Sequence, residues 1–413
     1  VTAGKVPQKV QNLIDKGVAI AAPLSMEIGD EVDIERISGD GVIFYSGTRI
    51  FGKKTLISPG AKFGKESPVT IENCRIGSGV ELKGGYFKES VLLDGANLGS
   101  GAQVREGCLL EEESGGGHTV GLKQTILFPF VTMGSLINFC DCLMAGGTSR
   151  KDHSEVGSSY IHFNYTPNQD KATASLIGDV PNGVMLRERP IFLGGQGGIV
   201  GPARIGYGTV VAAGVVLRDD LPEGGMIIAG GGEAHREKPF HFGFYADVER
   251  RINHNINYIG NLMALKEWYR EIRRPFFEST LFGRALYQGA IETLDSALKE
   301  RIKRFGELAG KMPLSIEIAQ KILPGRKGGS LVRRKKEFQE AWPRLKEHFE
   351  TFPADTAAPE RLGVFMTALQ EKRKDRYIET IKALDGKEAA EGAGWLQAVI
   401  SENMKAARVL LKG

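Results

Sequence analysis

Residues 158–171 read SSYIHFNYTPNQDK, a polar stretch in which an amide, a phenol and a closing ammonium fall close together at Asn164, Tyr165 and Lys171. Loops that leave a rigid scaffold are where binding residues concentrate, and this one has the composition of a ligand holder. His153 and His162 stand nearby and His118 further back; an imidazole titrates in the range a general base needs. Glu155 and Asp141 are carboxylates that desolvation would raise toward a general base. The cations Arg105, Lys171, Arg187 and Arg189 could clamp a phosphate or pyrophosphate, guanidinium being suited to bidentate contact. The catalytic candidates are therefore His153, His162 and Glu155. Arg105, Asn164, Tyr165, Lys171, Arg187 and Arg189 are candidates for binding.

Such groups need a scaffold, and the first half of the chain supplies a repetitive one. Aliphatic-Gly pairs recur at Ile28-Gly29, Ile76-Gly77, Leu98-Gly99, Val120-Gly121, Ile177-Gly178, Leu193-Gly194 and Ile205-Gly206, several at spacings near multiples of six. A glycine at each turn meets a need for positive φ or close coil-to-coil approach, and the flanking Val, Ile and Leu would stack inward as ladders. This is the hexapeptide pattern of a left-handed parallel β-helix, expected over 28–235 after a helical or linker segment at 1–27. The hairpin dipeptides that an antiparallel sandwich would need are sparse, at Asp40-Gly41, Asp94-Gly95 and Asn182-Gly183. The cadence breaks at 111–118, 145–155 and 181–191, where loops are expected.

Composition divides at the same place as the pattern. Of 54 glycines in the 413 residues, 14 lie after residue 240. That second part carries 31 Lys+Arg against 23 Asp+Glu, while the whole chain has a net charge of +4. Helical periodicity begins after Pro239, with Ile252, Ile256, Ile259, Met263 and Trp268 at three- and four-residue spacings. An α-helical domain is expected over 240–413, with helices at 247–274, 280–309, 313–323, 330–350, 358–384 and 390–411, stopped at Pro324-Gly325, Pro353 and Asp385-Gly386. The whole is mainly β followed by all α.

Several function classes fall away. The basic stretch PGRKGGSLVRRKK (324–336) lacks both the order of a nucleotide P-loop and interleaved aromatics, so no nucleic-acid partner is expected. Cys74, Cys108, Cys140 and Cys142 form neither a disulfide framework nor a zinc knuckle, and no metal is expected. The apolar stretch 17–24 is too short to span a bilayer, which leaves a cytoplasmic protein as the expectation.

The segments SEVGSSYIHFNYTPNQDKATASLIGD and FLGGQGGIVGPARIGYGTVVAAGVVLRDD are similar to the acetyltransferase half of the bacterial bifunctional glucosamine-1-phosphate acetyltransferase/N-acetylglucosamine-1-phosphate uridyltransferase. The similarity is clearest over 119–220. It implies a trimeric left-handed β-helix with acetyl-CoA and sugar-phosphate sites between neighbouring prisms. Carried over, Asn164 and Tyr165 match the Asn-Tyr at the acyl-transfer site, Lys171 the sugar-phosphate lysine, and Arg105 the phosphate-binding arginine. Ala213 matches a coenzyme-facing small residue and Gly195 stands at a coenzyme-contacting serine. The family's catalytic histidine is replaced by Phe139, and Cys142, Glu155 and Leu127 replace a tyrosine, an asparagine and a lysine. A nucleotidyl-transfer segment has no counterpart in residues 1–27, so uridylyl transfer by this chain alone is not expected.

The resulting expectation is a transferase-like protein of sugar-nucleotide (UDP-N-acetylglucosamine) metabolism, binding an amino-sugar phosphate or UDP-sugar. Acetyl-CoA or another acyl-CoA would be its co-substrate, and a histidine or carboxylate near 153–162 its base. The alternative is an inactive trimeric scaffold or sugar-nucleotide-binding protein that acts on a protein partner through its helical domain.

Overall fold

The computed structural model describes residues 5–230, 239–323 and 326–412. The chain winds into a parallel β-solenoid of about 11 turns and then returns along it as a helical layer. Helix takes 41% of residues and strand 21%, because most solenoid strands are only two or three residues long.

Each coil visits three faces. The first is an eleven-stranded parallel sheet running from Ala19–Ile20 through Asn97–Leu98 to Ile227–Ile228. The second and third are joined, because the strands Val120–Leu127 and Ile137–Met144 continue around the corner between them. They turn at Gln124 (φ 49°) and Asp141 (φ 61°), in the left-handed region where short polar side chains are tolerated. Inward residues stack coil on coil: Ile50, Ile71, Phe87, Val104, Leu122 and Phe139 are successive partners on the second face, all buried.

Strand pairing begins at Ala19, earlier than the expected residue 28, and the helix Gln8–Asp15 packs Val10 and Leu13 against the first coils. Lys9 fixes it there by donating to the carbonyls of Gly29, Asp30 and Val32 at 3.0, 2.6 and 2.9 Å. The expected end of the solenoid at residue 235, like the Pro324-Gly325 stop, lies outside the described residues.

The faces differ in how they are covered. Most first-face strands bury one side chain and leave its neighbour partly or fully exposed, as in Lys62–Phe63 and Glu81–Leu82. Third-face strands from Leu56–Ile57 to Leu109–Leu110 bury both, whereas Arg204 on the last third-face strand is exposed; the helix Gly283–Gly310 lies across the column Leu56, Arg75, Val91 and Leu109. Its approach at Gly289 is close enough that a β-carbon would come 2.3 Å from Arg75 Cδ. Sheets covered on both sides read as continuous apolar runs, which is the character of VLL (91–93) and ILF (126–128).

The helical layer departs from expectation in three places. The helix Val248–Glu267 continues through a wider π turn, Trp268–Arg273, into Arg274–Glu278, so Pro275 follows the π turn without ending the helix. The stretch 358–384 is two helices, Pro359–Glu371 and Tyr377–Ala383. Asp385 starts the last helix, Gly386–Lys412: its carboxylate accepts from the backbone of Lys387 and Glu388 while Glu388 accepts from Asp385 N–H, a reciprocal cap.

Candidate functional site

At the corner between the second and third faces, most coils turn through four residues or fewer. One coil instead makes an excursion from Ile161–Phe163 to Ser175–Ile177, and Asn164, Tyr165 and Lys171 lie on it. The helical layer clamps this loop along its length. Asn168 exchanges hydrogen bonds with Gly243 N–H (2.9 Å) and Phe244 C=O (3.1 Å). Lys311 donates to the carbonyls of Asn168 and Gln169 at 2.8 and 3.1 Å, and Asn255 to that of Ala172 at 3.1 Å. The buried Asp170 accepts from Tyr245 Oη at 2.9 Å and pairs with Arg251 at 3.6 Å.

The next coil down contributes the anchor. Asp141 accepts from Asn164 Nδ2 at 2.7 Å on one oxygen and from Arg301 Nη2 at 2.5 Å on the other. Arg301, from the helix Gly283–Gly310, also reaches the Lys171 carbonyl at 3.4 Å. Asp141 is thus a buried structural anion and not a free base. Left over on the loop are the Tyr165 ring, 56% exposed, and the Gln169 amide and Lys171 ammonium, neither of which has a hydrogen bond or ion pair among the described residues. Burial pushes the neighbouring Cys140 thiol up, and Lys123 and Lys171 pull against it.

Arg105 follows the strand Ala102–Val104, and the column above it runs through Lys123 and Cys140 toward the coil of Asn164. That is three rungs, roughly 14 Å at the spacing of paired strands. Arg105 and Lys123 share Glu106, at 3.7 and 2.5 Å.

His162 faces inward, 3% exposed. Its Nδ1–H donates to the Cys140 carbonyl at 2.6 Å, which makes Nε2 the acceptor for Ser175 Oγ–H at 2.8 Å; Ser175 Oγ in turn accepts from Ala203 N–H at 3.0 Å. Burial lowers its pKa to about 4. The expectation of a base at His162 is corrected on this ground: both nitrogens are engaged and the ring is sealed in the core. Phe139, at the family's histidine position, is also inward and meets His162 edge-on at 6.3 Å.

The expected four-cation clamp does not converge. Arg187 and Arg189 lie at the corner between the third and first faces, away from Lys171, and Arg187 donates to the Leu384 carbonyl of the helical layer. His153 and Glu155 occupy that same corner one coil below, with Nε2 to Oε2 at 3.9 Å and His153 Nδ1 on the Arg150 carbonyl at 3.0 Å. In one chain they do not face Asn164.

Gly195 and Ala213 do meet, at the third corner. A β-carbon on Gly194 would come 2.3 Å from Ala213 N, and one on Gly157 would come 2.4 Å from Gly195 N. Gly214 N–H donates to the Gly195 carbonyl at 2.9 Å. His118 stands at this corner too, its Nδ1 2.8 Å from Ser135 Oγ. Residues that sequence reasoning missed are Arg301, Tyr245, Arg251 and Lys311; no local pattern marks them, since each acts on a loop more than 70 positions away. Among the described residues no group of three or more His, Cys, Asp or Glu could hold a metal, and no helix is long and apolar enough to cross a membrane.

No protein-family model matches the chain. About half of it is homologous to bifunctional GlmU proteins. It is 28% identical over 216 residues to the Bifunctional protein GlmU of Thermotoga maritima, covering 52% of this chain and 43% of that protein. The corresponding protein of Carboxydothermus hydrogenoformans is 25% identical over 236 residues, covering 57% and 47%. The chain thus spans less than half the length of these curated relatives. Among solved structures, the UDP-N-acetylglucosamine acyltransferase from Campylobacter jejuni aligns over 50% of this chain and 67% of its own at 13% identity, with a TM-score of 0.17.

Proposed function

We propose that this chain is a transferase-type β-helix protein of sugar-nucleotide metabolism, whose Asn164–Tyr165–Lys171 corner holds an amino-sugar phosphate or UDP-sugar. The observation that carries this is the loop itself. Its Asn164, Asn168 and Asp170 side chains are held by the solenoid or the helical layer, while the Tyr165 ring and the Lys171 ammonium are left unengaged. A rigid loop with one free cation and one exposed aromatic suits a phosphate beside a sugar face. Homology to bifunctional GlmU proteins supports the sugar-nucleotide assignment. An acyl-CoA would lie along the Gly195–Ala213 corner, where the absence of side chains leaves backbone open to a ligand.

A homotrimer fits this assignment. Phe192, Val210 and Ile227 on the first face, and Ile161, Phe163 and Val216 on the second, form exposed apolar columns on the last coils. His153 or Glu155 would act as base only from a neighbouring copy. A second reading, a non-catalytic sugar-nucleotide scaffold working through the helical layer, is favoured by one observation: Phe139 and the core-locked His162 leave the corner of a single chain without a base. A cytoplasmic location goes with either reading.

The test is calorimetric titration of the full chain with glucosamine-1-phosphate, UDP-N-acetylglucosamine and acetyl-CoA, with Lys171→Ala beside it. Sugar-phosphate binding weakened about tenfold or more by the substitution supports the site, that being the scale of a hydrogen bond to a charged group. Added acetyl-CoA binding selects the transferase, and its absence the scaffold. No binding of either sugar ligand sinks both.

A further inference from the structure

A cavity with a volume of about 690 Å³ lies within the helical layer, away from the solenoid corners, and has the size of a small-molecule site. Its floor is apolar and aromatic: Met263, Leu298, Ile302, Trp342, Phe349 and Phe352. Gly306 makes room for this floor, since a β-carbon there would come 2.6 Å from Trp342 Cζ2 and drive the indole out of place.

The polar lining is unevenly satisfied. Lys266 pairs with Asp295 at 2.6 Å, and Lys346 with Glu350 one turn along the same helix at 3.8 Å. Lys299 and Lys303, one turn apart on the helix Gly283–Gly310, have no ion pair or hydrogen bond among the described residues. At the inner end, Glu267 is 3% exposed; its Oε1 accepts from Arg270 at 3.0 Å, and its Oε2 has no hydrogen-bond partner. A buried carboxylate oxygen without a donor is costly, and native structures leave few of them. Glu267 and Arg270 flank the start of the π turn Trp268–Arg273, a distortion frequent at functional sites.

We infer that this cavity binds a nucleotide whose base carries an exocyclic amine, as in adenosine monophosphate. The amine donates to Glu267, the planar base covers the Trp342, Phe349 and Phe352 rings, and the phosphate meets Lys299 and Lys303. An aliphatic chain would cover the floor but leave Glu267 without a donor. A sugar phosphate would reach the lysines but leave the rings uncovered.

The full chain is titrated with adenosine monophosphate and with purine riboside monophosphate, which replaces the amine by hydrogen, read by calorimetry and by quenching of tryptophan fluorescence. The adenine nucleotide is expected to bind about tenfold or more tightly than the one without the amine, the scale of a lost hydrogen bond to a buried charge. Glu267→Gln, which presents a donor in place of an acceptor, is expected to narrow or reverse that preference. Lys299→Ala with Lys303→Ala is expected to weaken both nucleotides, and saturating UDP-N-acetylglucosamine to displace neither. Absence of saturable binding to folded protein overturns the inference. So do equal affinities for the two nucleotides, or a preference that Glu267→Gln leaves unchanged.

Discussion

Asp141 and Arg301 meet 2.5 Å apart with side chains 6% and 3% exposed, joining a solenoid corner to a helix 160 positions later in the chain. The pair fixes Asn164 from beneath, so stability and the candidate site share one contact. Removing one member of a buried ion pair leaves the other uncompensated, at a cost of about 3–5 kcal/mol. Arg301→Met is therefore expected to lower the unfolding free energy by that amount in urea titration and to loosen the 164–174 loop. Adding Asp141→Asn removes the stranded charge and is expected to restore most of the stability but not the ligand affinity. If Arg301→Met alone leaves stability unchanged, the pair does not anchor the loop.

The second prediction concerns pH. Burial lowers the pKa of His162 from 6.5 to about 4. A base depressed in the folded state is neutral there while the unfolded chain gains a proton. Its contribution is thus fully present above pH 6.5 and lost progressively as pH falls toward 4. Across that window the loss is about 3 kcal/mol at 1.36 kcal/mol per pKa unit. Stability of the native chain relative to His162→Gln is expected to fall between those limits, which cancels the other titrating groups common to both. A constant difference would mean that the imidazole is not sealed.

How much of this was legible in the sequence depends on the range of the interaction. The aliphatic-Gly cadence marks the coils because each coil repeats the same local demand, an inward branched residue and a turn, and the periodicity after residue 240 marks helices in the same way. Doubly buried strands such as Val91–Leu92 and Leu109–Leu110 also left a trace, in apolar runs where the first face alternates. The excursion carrying Asn164, Tyr165 and Lys171 was visible as a polar stretch, although the breaks in the cadence point to 111–118, 145–155 and 181–191, the first of which is a regular coil through Gly115–Gly116. What covers it was not, because Arg301, Tyr245 and Lys311 lie on helices whose own periodicity says nothing about which loop they reach. The error over His162 has a similar cause. A single histidine on a strand points in or out according to register, and register was set by coils far from it in sequence.

Close stacking at the third corner gives another test. A β-carbon on Gly194 would lie 2.3 Å from the backbone N of Ala213 and 2.5 Å from the carbonyl carbon of Ala212, neither of which can rotate away. Gly194→Ala is expected to cost about 1–3 kcal/mol, as overpacking of a rigid interior does, and to weaken any acyl-CoA binding along Gly195 and Ala213. Gly310→Ala is the control. Nothing lies within 4 Å of that β-carbon, and a helical alanine for glycine is expected to be neutral or mildly stabilising. Equal melting temperatures for the two variants would refute the tight corner.

Phe139 tests whether lost chemistry can be put back. If only the residue type were missing, Phe139→His would restore a proton acceptor beside Asn164 and switch on acetyl transfer. The geometry argues otherwise: position 139 is inward, with no exposure, between Tyr160 and His162 at 6.2 and 6.3 Å between ring centres. An imidazole there exchanges aromatic packing for a buried polar group; His162 is already committed on both nitrogens, and the unpartnered polar atom beside it is the Tyr160 hydroxyl, itself buried. The cost is about 2–4 kcal/mol by comparison with other core substitutions, and transfer from acetyl-CoA to glucosamine-1-phosphate is expected to be no faster than in the native chain. Thermal melts and a coupled thiol-release assay measure the two quantities on the same samples. A gain in transfer with stability retained would show that the strand can turn this side chain outward, and would decide for the transferase over the scaffold.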